Sequence, residues 1–294
     1  MPQQKTAYDP AQKYPVTSFD VECRTSQGVV IRARLYQPQG NGPFPVLMDF
    51  HGGAWSGGDR QQGQLRDNAL AESGLLVVAV DLRTSPKHHY PAQVEDANLA
   101  IRWAKTHAHR YQGEANSLGA FGISSGGHTL MLTLMRPDDE QFSSLPLPAS
   151  TSARACVRYA IVESGVLDPY VRYQYAKSVG RQDLINKSEN YFGTETVMQE
   201  GNPQFILDRG EAIELPPVLL FQGTADANIP SSIPENFVKS YRAAGGDIEF
   251  KLFPGAAHGF SRLPGQHTEE ALCLMKNFIF KQLANSHCEI PEAR

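Results

Sequence analysis

The hexapeptide Gly122-Ile123-Ser124-Ser125-Gly126-Gly127 constrains the fold of this chain more than any other stretch. The apolar run before it, Ser117-Leu118-Gly119-Ala120-Phe121, reads as a short buried strand, and residues 128–134 after it read as a helix. A serine on such a strand-to-helix turn stands in the open. Glycines flank it because a larger side chain would collide with the neighbouring strand and helix. The spacing G-x-S-x-G selects Ser124, which has glycine two residues before and two after, whereas Ser125 would need glycine at position 123, which is Ile.

A turn of this kind needs a sheet around it, and the chain supplies one. Residues 16–25 and 28–36 are β-rich and separated by Ser26-Gln27-Gly28, which predicts an antiparallel hairpin. Residues 45–50 form a strand that runs straight into His51-Gly52-Gly53-Ala54-Trp55, a second glycine-rich loop. Residues 75–80 are continuously apolar, as expected of a strand covered on both faces. Val94, Ala97, Leu99, Ala100, Ile101, Trp103 and Ala104 then recur at helical spacing and link that strand to the one before Ser124. Further strands are expected at 155–162, 217–221 and 248–253, with helices at 235–244 and 268–283. Residues 166–214 mix Tyr170, Tyr173, Tyr175, Tyr191 and Phe192 with charges and are interrupted by Gly180, Gly193 and Gly201, which predicts short helices. They read as a small helical cap inserted within a single domain over residues 1–294, beside the strand ends. Alternating strands and helices predict an α/β fold with a mostly parallel central sheet and helices on both faces.

In such a sheet ligands sit beyond the carboxyl ends of the strands, and Ser124, Asp226 and His258 each follow a predicted strand. A serine hydroxyl is a poor nucleophile at neutral pH. It needs an imidazole to take its proton, and the imidazole needs a carboxylate to fix its tautomer and stabilise its charged form. Negative charge developing on a substrate carbonyl oxygen must also meet preorganised N–H donors. The small residues of His51-Gly52-Gly53-Ala54 let a backbone approach that oxygen closely, and the N–H of Ser125 is the second expected source.

These motifs together resemble the α/β-hydrolase superfamily and, within it, the hormone-sensitive-lipase-like esterases and the feruloyl/acetylxylan-type esterases. The resemblance covers residues 16–283. It rests on His51-Gly52-Gly53-Ala54-Trp55, Gly122-Ile123-Ser124-Ser125-Gly126-Gly127, Gly223-Thr224-Ala225-Asp226 and Pro254-Gly255-Ala256-Ala257-His258-Gly259-Phe260. It implies Ser124 as nucleophile, Asp226 as acid, His258 as base, and the amides of Gly53, Ala54 and Ser125 as oxyanion hole. Two departures concern the lipase-like group: Ala54 stands at its usual third glycine, and Asp81-Leu82-Arg83-Thr84-Ser85-Pro86 replaces its Tyr-Arg-Leu-Ala-Pro-Glu stretch. The implied activity is hydrolysis of a small-molecule carboxylic ester through an acyl-enzyme, with no cofactor. An arylformamide or other activated amide would suit the same triad, and a relative that binds a small ligand without turnover is the third reading.

Several residues carry competing roles. Asp226 would also suit a loop-capping aspartate, and Asp168 and Glu163 are rival acids. His51 is expected to order its loop by hydrogen bonds. Trp55 beside the oxyanion loop, Phe260 beside the base and Tyr170 in the cap are candidate substrate contacts, while Asp81, Arg83 and Asp96 read as structural ion-pairing residues. No pair among the nine histidines has metal-ligand spacing. Cys23, Cys156, Cys273 and Cys288 are scattered and read as free thiols.

The net charge of −4 comes from 31 acidic and 27 basic residues without long runs of either sign, which points away from nucleic acid. Residues 1–15 read as a polar arm lacking the apolar core of a signal peptide, and no window approaches the roughly 20 apolar residues that cross a bilayer. A soluble, cytoplasmic protein is expected. Its oligomeric state is open, with a homodimer among the options.

Overall fold

The computed structural model describes residues 8–25, 27–147 and 153–284; residues 1–7 of the arm, Ser26, His287 and Cys288 lie outside them. The elements run β1 (Val16–Arg24), β2 (Val30–Pro38), β3 (Phe44–Phe50), α1 (Gln64–Glu72), β4 (Leu76–Val80), α2 (Ala92–His107), β5 (Gly113–Ile123), α3 (Ser125–Met135) and β6 (Ala160–Glu163). There follow α4 (Pro169–Ser178), α5 (Gln182–Phe192), α6 (Glu195–Glu200), α7 (Pro203–Asp208), β7 (Val218–Gly223), α8 (Ser232–Ala243), β8 (Ile248–Phe253) and α9 (Gln266–Ala284).

The strands form one sheet in the order β1-β2-β4-β3-β5-β6-β7-β8. The expected hairpin pairs β1 with β2, and β2 lies antiparallel against β4. All five remaining pairings are parallel, so β3 to β8 end at one edge.

Strands β3, β4, β6 and β7 are buried on both faces, whereas β8 at the sheet edge exposes Lys251 and Leu252. Met48, Val78, Val162 and Leu220 pack on one side with Val94 and Ile101 of α2 and Leu130 and Leu134 of α3. Leu47, Val77, Ile161 and Leu219 pack on the other with Leu70 of α1 and Met275 and Ile279 of α9. Two covered faces explain why these strands read as unbroken apolar runs rather than as alternating ones.

One helix has no counterpart among the expected elements, and one strand differs in extent. Helix α1 buries Arg66 and Asp67 together with Leu70 and Ala71, so its inward stripe is half charged and carries no apolar period. Strand β6 is shorter than residues 155–162, because its ladder meets only Ala120 to Ile123 on one side and Val218 to Phe221 on the other.

The stretch 166–214 forms four short helices, as its composition predicts, and three of the four starts carry a side-chain cap. Asp168 caps α4 by accepting from the Val171 N–H, Thr194 caps α6 through Val197, and Asn202 caps α7 through Gln204 and Phe205. Pro169 and Pro203 occupy first turns, where no N–H is needed. Of the cysteines, Cys23, Cys156 and Cys273 are free. Among the described residues no helix is long and apolar enough to cross a membrane.

Candidate active site

Ser124 joins β5 to α3 with φ 56° and ψ −121°, outside the regions an L-residue prefers. Such a residue costs about 1–3 kcal/mol and persists only where its surroundings hold it. Here its N–H donates to the Glu163 carbonyl at 2.9 Å, and its own carbonyl accepts from Val166 at 3.0 Å. Gly126 sits so close to the Phe50 and His51 carbonyl oxygens that a Cβ there would collide with them. That is the physical content of the second glycine in the motif.

The hydroxyl that this turn presents meets His258. Ser124 Oγ lies 3.0 Å from His258 Nε2, and His258 Nδ1 lies 2.8 Å from Asp226 Oδ2. A carboxylate can only accept, so the Nδ1–H donates to Asp226 and Nε2 is left to accept the serine proton. Asp226 is fixed by its other oxygen, which accepts from the N–H groups of Asn228 and Ile229 at 2.8 and 3.0 Å. The two loops are tied at their base, since Thr224 donates its N–H to Phe253 O and accepts from the Gly255 N–H through its hydroxyl. The rival acids are engaged elsewhere: Asp168 caps α4 and accepts from Asn202, and the Glu163 carboxylate accepts from Ser261.

The loop after β3 is ordered by His51. Its Nε2 accepts from the Leu82 N–H at 3.2 Å, so Nδ1 carries the proton and donates to the Gly52 carbonyl at 2.8 Å. Gly53 has φ 128°, and Ala54 and Trp55 have φ of 50° and 60°. This left-handed run turns the amides of the loop. The Gly52 N–H is taken by Gln62, whereas neither Gly53 nor Ala54 donates its N–H to another described residue. The Ser125 amide is the first of α3, where helical N–H groups have no partner within the helix.

A family model described as BD-FAE matches residues 34–240, about two-thirds of the chain, including Ser124, Asp226 and the loop at 51–55. The chain belongs to the BD-FAE family. This BD-FAE chain is also similar to esterase LipC of Mycobacterium tuberculosis (strain ATCC 25618 / H37Rv), at 29% identity over 84% of this chain and 62% of LipC. The isoprenylcysteine alpha-carbonyl methylesterase ICME of Arabidopsis thaliana is 26% identical over 77% of this chain and 53% of its own length. The chain thus spans about half to three-fifths of the length of these curated relatives. Among solved structures, Thermogutta terrifontis esterase 2 phosphonylated by sarin matches with TM-score 0.71 at 25% identity, over 91% of this chain and 94% of that one. A hyperthermophilic esterase from the archaeon Pyrobaculum calidifontis matches with TM-score 0.72 at 21% identity, over 91% and 87%. The fold is the α/β-hydrolase fold.

Two of the three residues expected to contact substrate are buried elsewhere. Trp55 is fully buried, stacked on Tyr191 at 5.3 Å and donating its indole N–H to His128 Nδ1 at 3.1 Å. The left-handed turn at residues 54–55 drives the indole inward, so it joins the loop to α5 instead of lining an open wall. Phe260 packs against Phe221, Phe253 and His267 in the core beside α9. Tyr170 is half-buried on α4 and packs against Phe205. The ion pairs Arg60–Asp81 and Arg83–Asp96 hold the loop after β4 at 2.9 and 2.6 Å. Among the described residues no group of three His, Cys, Asp or Glu side chains is arranged to hold a metal ion.

The sequence reading missed a buried polar network behind the site. Arg66 pairs with Asp49 at 2.9 Å and Asp67 at 3.2 Å and donates to the Ser261 hydroxyl at 3.2 Å, with its guanidinium 3.9 Å from the Phe121 ring centre. Burial pushes the Asp67 carboxyl well up, and the adjacent Asp49 adds to the effect. The available signal was charge inside apolar runs, Asp49 within β3 and Glu163 at the end of β6.

Proposed function

We propose that the chain is a serine carboxylic-ester hydrolase. The observation that carries the reading is the continuous hydrogen-bonded line from Ser124 Oγ through His258 to Asp226. Ser124 attacks the ester carbonyl carbon while His258 Nε2 takes its proton. The oxygen that becomes negative is met by the N–H groups of Gly53, Ala54 and Ser125. His258 then returns the proton to the leaving alcohol, and the acyl group remains on Ser124. Water, deprotonated by the same nitrogen, attacks the acyl-enzyme and releases the acid. Asp226 holds the imidazole in the required tautomer and stabilises its charged form throughout.

Several lines support this reading. Relatives named as esterases cover most of this chain, and the Thermogutta esterase 2 was solved with propionate and with butyrate bound. Short acyl groups are therefore the first to test. Helices α4–α7 act as a cap over the strand ends within a single domain and set which acyl and alcohol groups enter.

Hydrolysis of nitrophenyl esters from acetate to octanoate, with Ser124→Ala alongside, tests the proposal. Turnover that disappears in Ser124→Ala is expected; equal turnover in both proteins would overturn it.

A further inference from the structure

Among the described residues two arginines are almost fully buried, and they are treated differently. Arg66 is 1% exposed and faces Asp49 and Asp67. Arg172, on α4, is 2% exposed, and no carboxylate among the described residues lies within ion-pair distance of it. Its guanidinium makes a single hydrogen bond among the described residues, a long one from Nη1 to the Ser188 hydroxyl at 3.5 Å. Its Nε is buried without an acceptor.

An ionised group taken out of water without a partner is costly, and five guanidinium N–H groups need more than one distant hydroxyl. The ring of Trp55, 5.5 Å from the guanidinium carbon, offers it a face but no acceptor. Burial brings the Arg172 pKa down to about 10 and leaves it charged at neutral pH. The carboxylates that act on it from a distance are occupied: Asp183 by Arg181, and Asp226 by His258.

Its position relates this cation to the reaction. Asp226, the carboxylate at the end of the line from Ser124, is near enough to act on it electrostatically, and the buried Trp55 ring that it faces directly follows Ala54. We propose that Arg172 is an anion-recognition residue of the substrate pocket, and that the ester it favours carries a carboxylate on its acyl or its alcohol part. A planar guanidinium fork matches a carboxylate with two parallel hydrogen bonds. The inference rests on the ester-hydrolase reading for its substrate and on burial and missing partners for its site.

Matched substrates test it with the full chain. The acyl pair, six carbons long with and without a terminal carboxylate, is the mono-nitrophenyl ester of adipate against nitrophenyl hexanoate; the alcohol pair is 4-acetoxybenzoate against 4-acetoxybenzamide. One pair is expected to favour its anionic member by about tenfold or more in kcat/KM, a ratio reduced towards one in Arg172→Gln and partly kept in Arg172→Lys. Thermal shift by adipate against adipamide reads the same contrast without chemistry, so a dead enzyme does not obscure it. No anionic preference in either pair and no selective shift by adipate would overturn the inference, as would a preference unchanged in Arg172→Gln.

Discussion

The carboxylate of Glu163 accepts from both the backbone N–H and the hydroxyl of Ser261, three residues beyond His258. The carbonyl of the same Glu163 accepts from the Ser124 N–H at 2.9 Å. One residue at the end of β6 therefore ties the serine turn to the histidine loop.

Glu163 touches neither reacting atom, so it acts as a positioning residue. In Glu163→Gln one of the two acceptor oxygens becomes an amide NH2, so the Ser261 hydroxyl, which already accepts from Arg66, loses the acceptor of its own hydrogen. Displacements of about 1 Å in a reacting pair cost on the order of 100-fold, and a loss of about 10- to 100-fold in kcat with KM changed less than about threefold is expected. Ser261→Ala should lose less, because the backbone N–H bond survives. Steady-state kinetics of folded protein check this, and an unchanged kcat in Glu163→Gln would sink the idea.

Gly53 offers a test of the donor loop. Its φ of 128° is a conformation that alanine resists, and a Cβ there would run into the Gly57 carbonyl. Gly53→Ala must displace the loop, and with it the two amides that donate to no other described residue. A loss of about 100- to 1000-fold in kcat is expected. Fluorophosphonate labelling of Ser124 should slow as well, since that adduct also places an oxygen against these amides. Wild-type rates in this variant would remove the loop from the mechanism.

How much of this was legible in the sequence follows from which forces leave a local trace. The Ser124 turn was legible because its glycines are required within five residues, and the parallel strands because burial on both faces leaves an uninterrupted apolar run. Asp226 and His258 were legible only through their order and neighbouring motifs; their meeting at 2.8 Å depends on two loops 32 residues apart. Helix α1 and the Arg66 network were not legible, since a helix that buries charge against partners 17 and 195 residues away has no apolar period to detect. Trp55 was misplaced for a related reason. Its neighbours Tyr191 and Phe192 come from α5, far along the chain.

Asp226→Asn separates geometry from charge. Oδ1 is held by the N–H groups of Asn228 and Ile229, so the asparagine must keep its carbonyl oxygen there and turn its NH2 toward His258. That NH2 cannot accept the Nδ1 proton, and the ring is left in the wrong tautomer to receive the proton of Ser124. A fall of about 10,000-fold in kcat with little change in Tm is expected. Pre-steady-state kinetics should show the loss in acylation; a loss of less than about tenfold would assign the acid to another residue.

His128 gives the fold a pH dependence of defined sign. It is fully buried on α3, where Nδ1 accepts from Trp55 and Nε2–H donates to the Gly201 carbonyl at 2.8 Å. Burial brings its pKa down to about 4, with the positive charge of Arg172 acting in the same direction and the Gly201 carbonyl against it. The folded state therefore binds fewer protons than the unfolded state between about pH 6.5 and 4. The contribution is fully present above pH 6.5 and is lost as pH falls toward 4, up to about 3 kcal/mol. Asp96 works in the opposite sense, because burial raises its pKa to about 6, and burial also raises the carboxyls of Asp67, Glu163 and Asp168, so the wild-type profile alone mixes several groups. His128→Gln isolates one of them: a glutamine accepts from Trp55 and donates to Gly201 without titrating. Urea unfolding at intervals from pH 7 to 4 should show wild type losing stability relative to His128→Gln as pH falls. A constant difference across that range would mean that His128 does not carry the acid sensitivity.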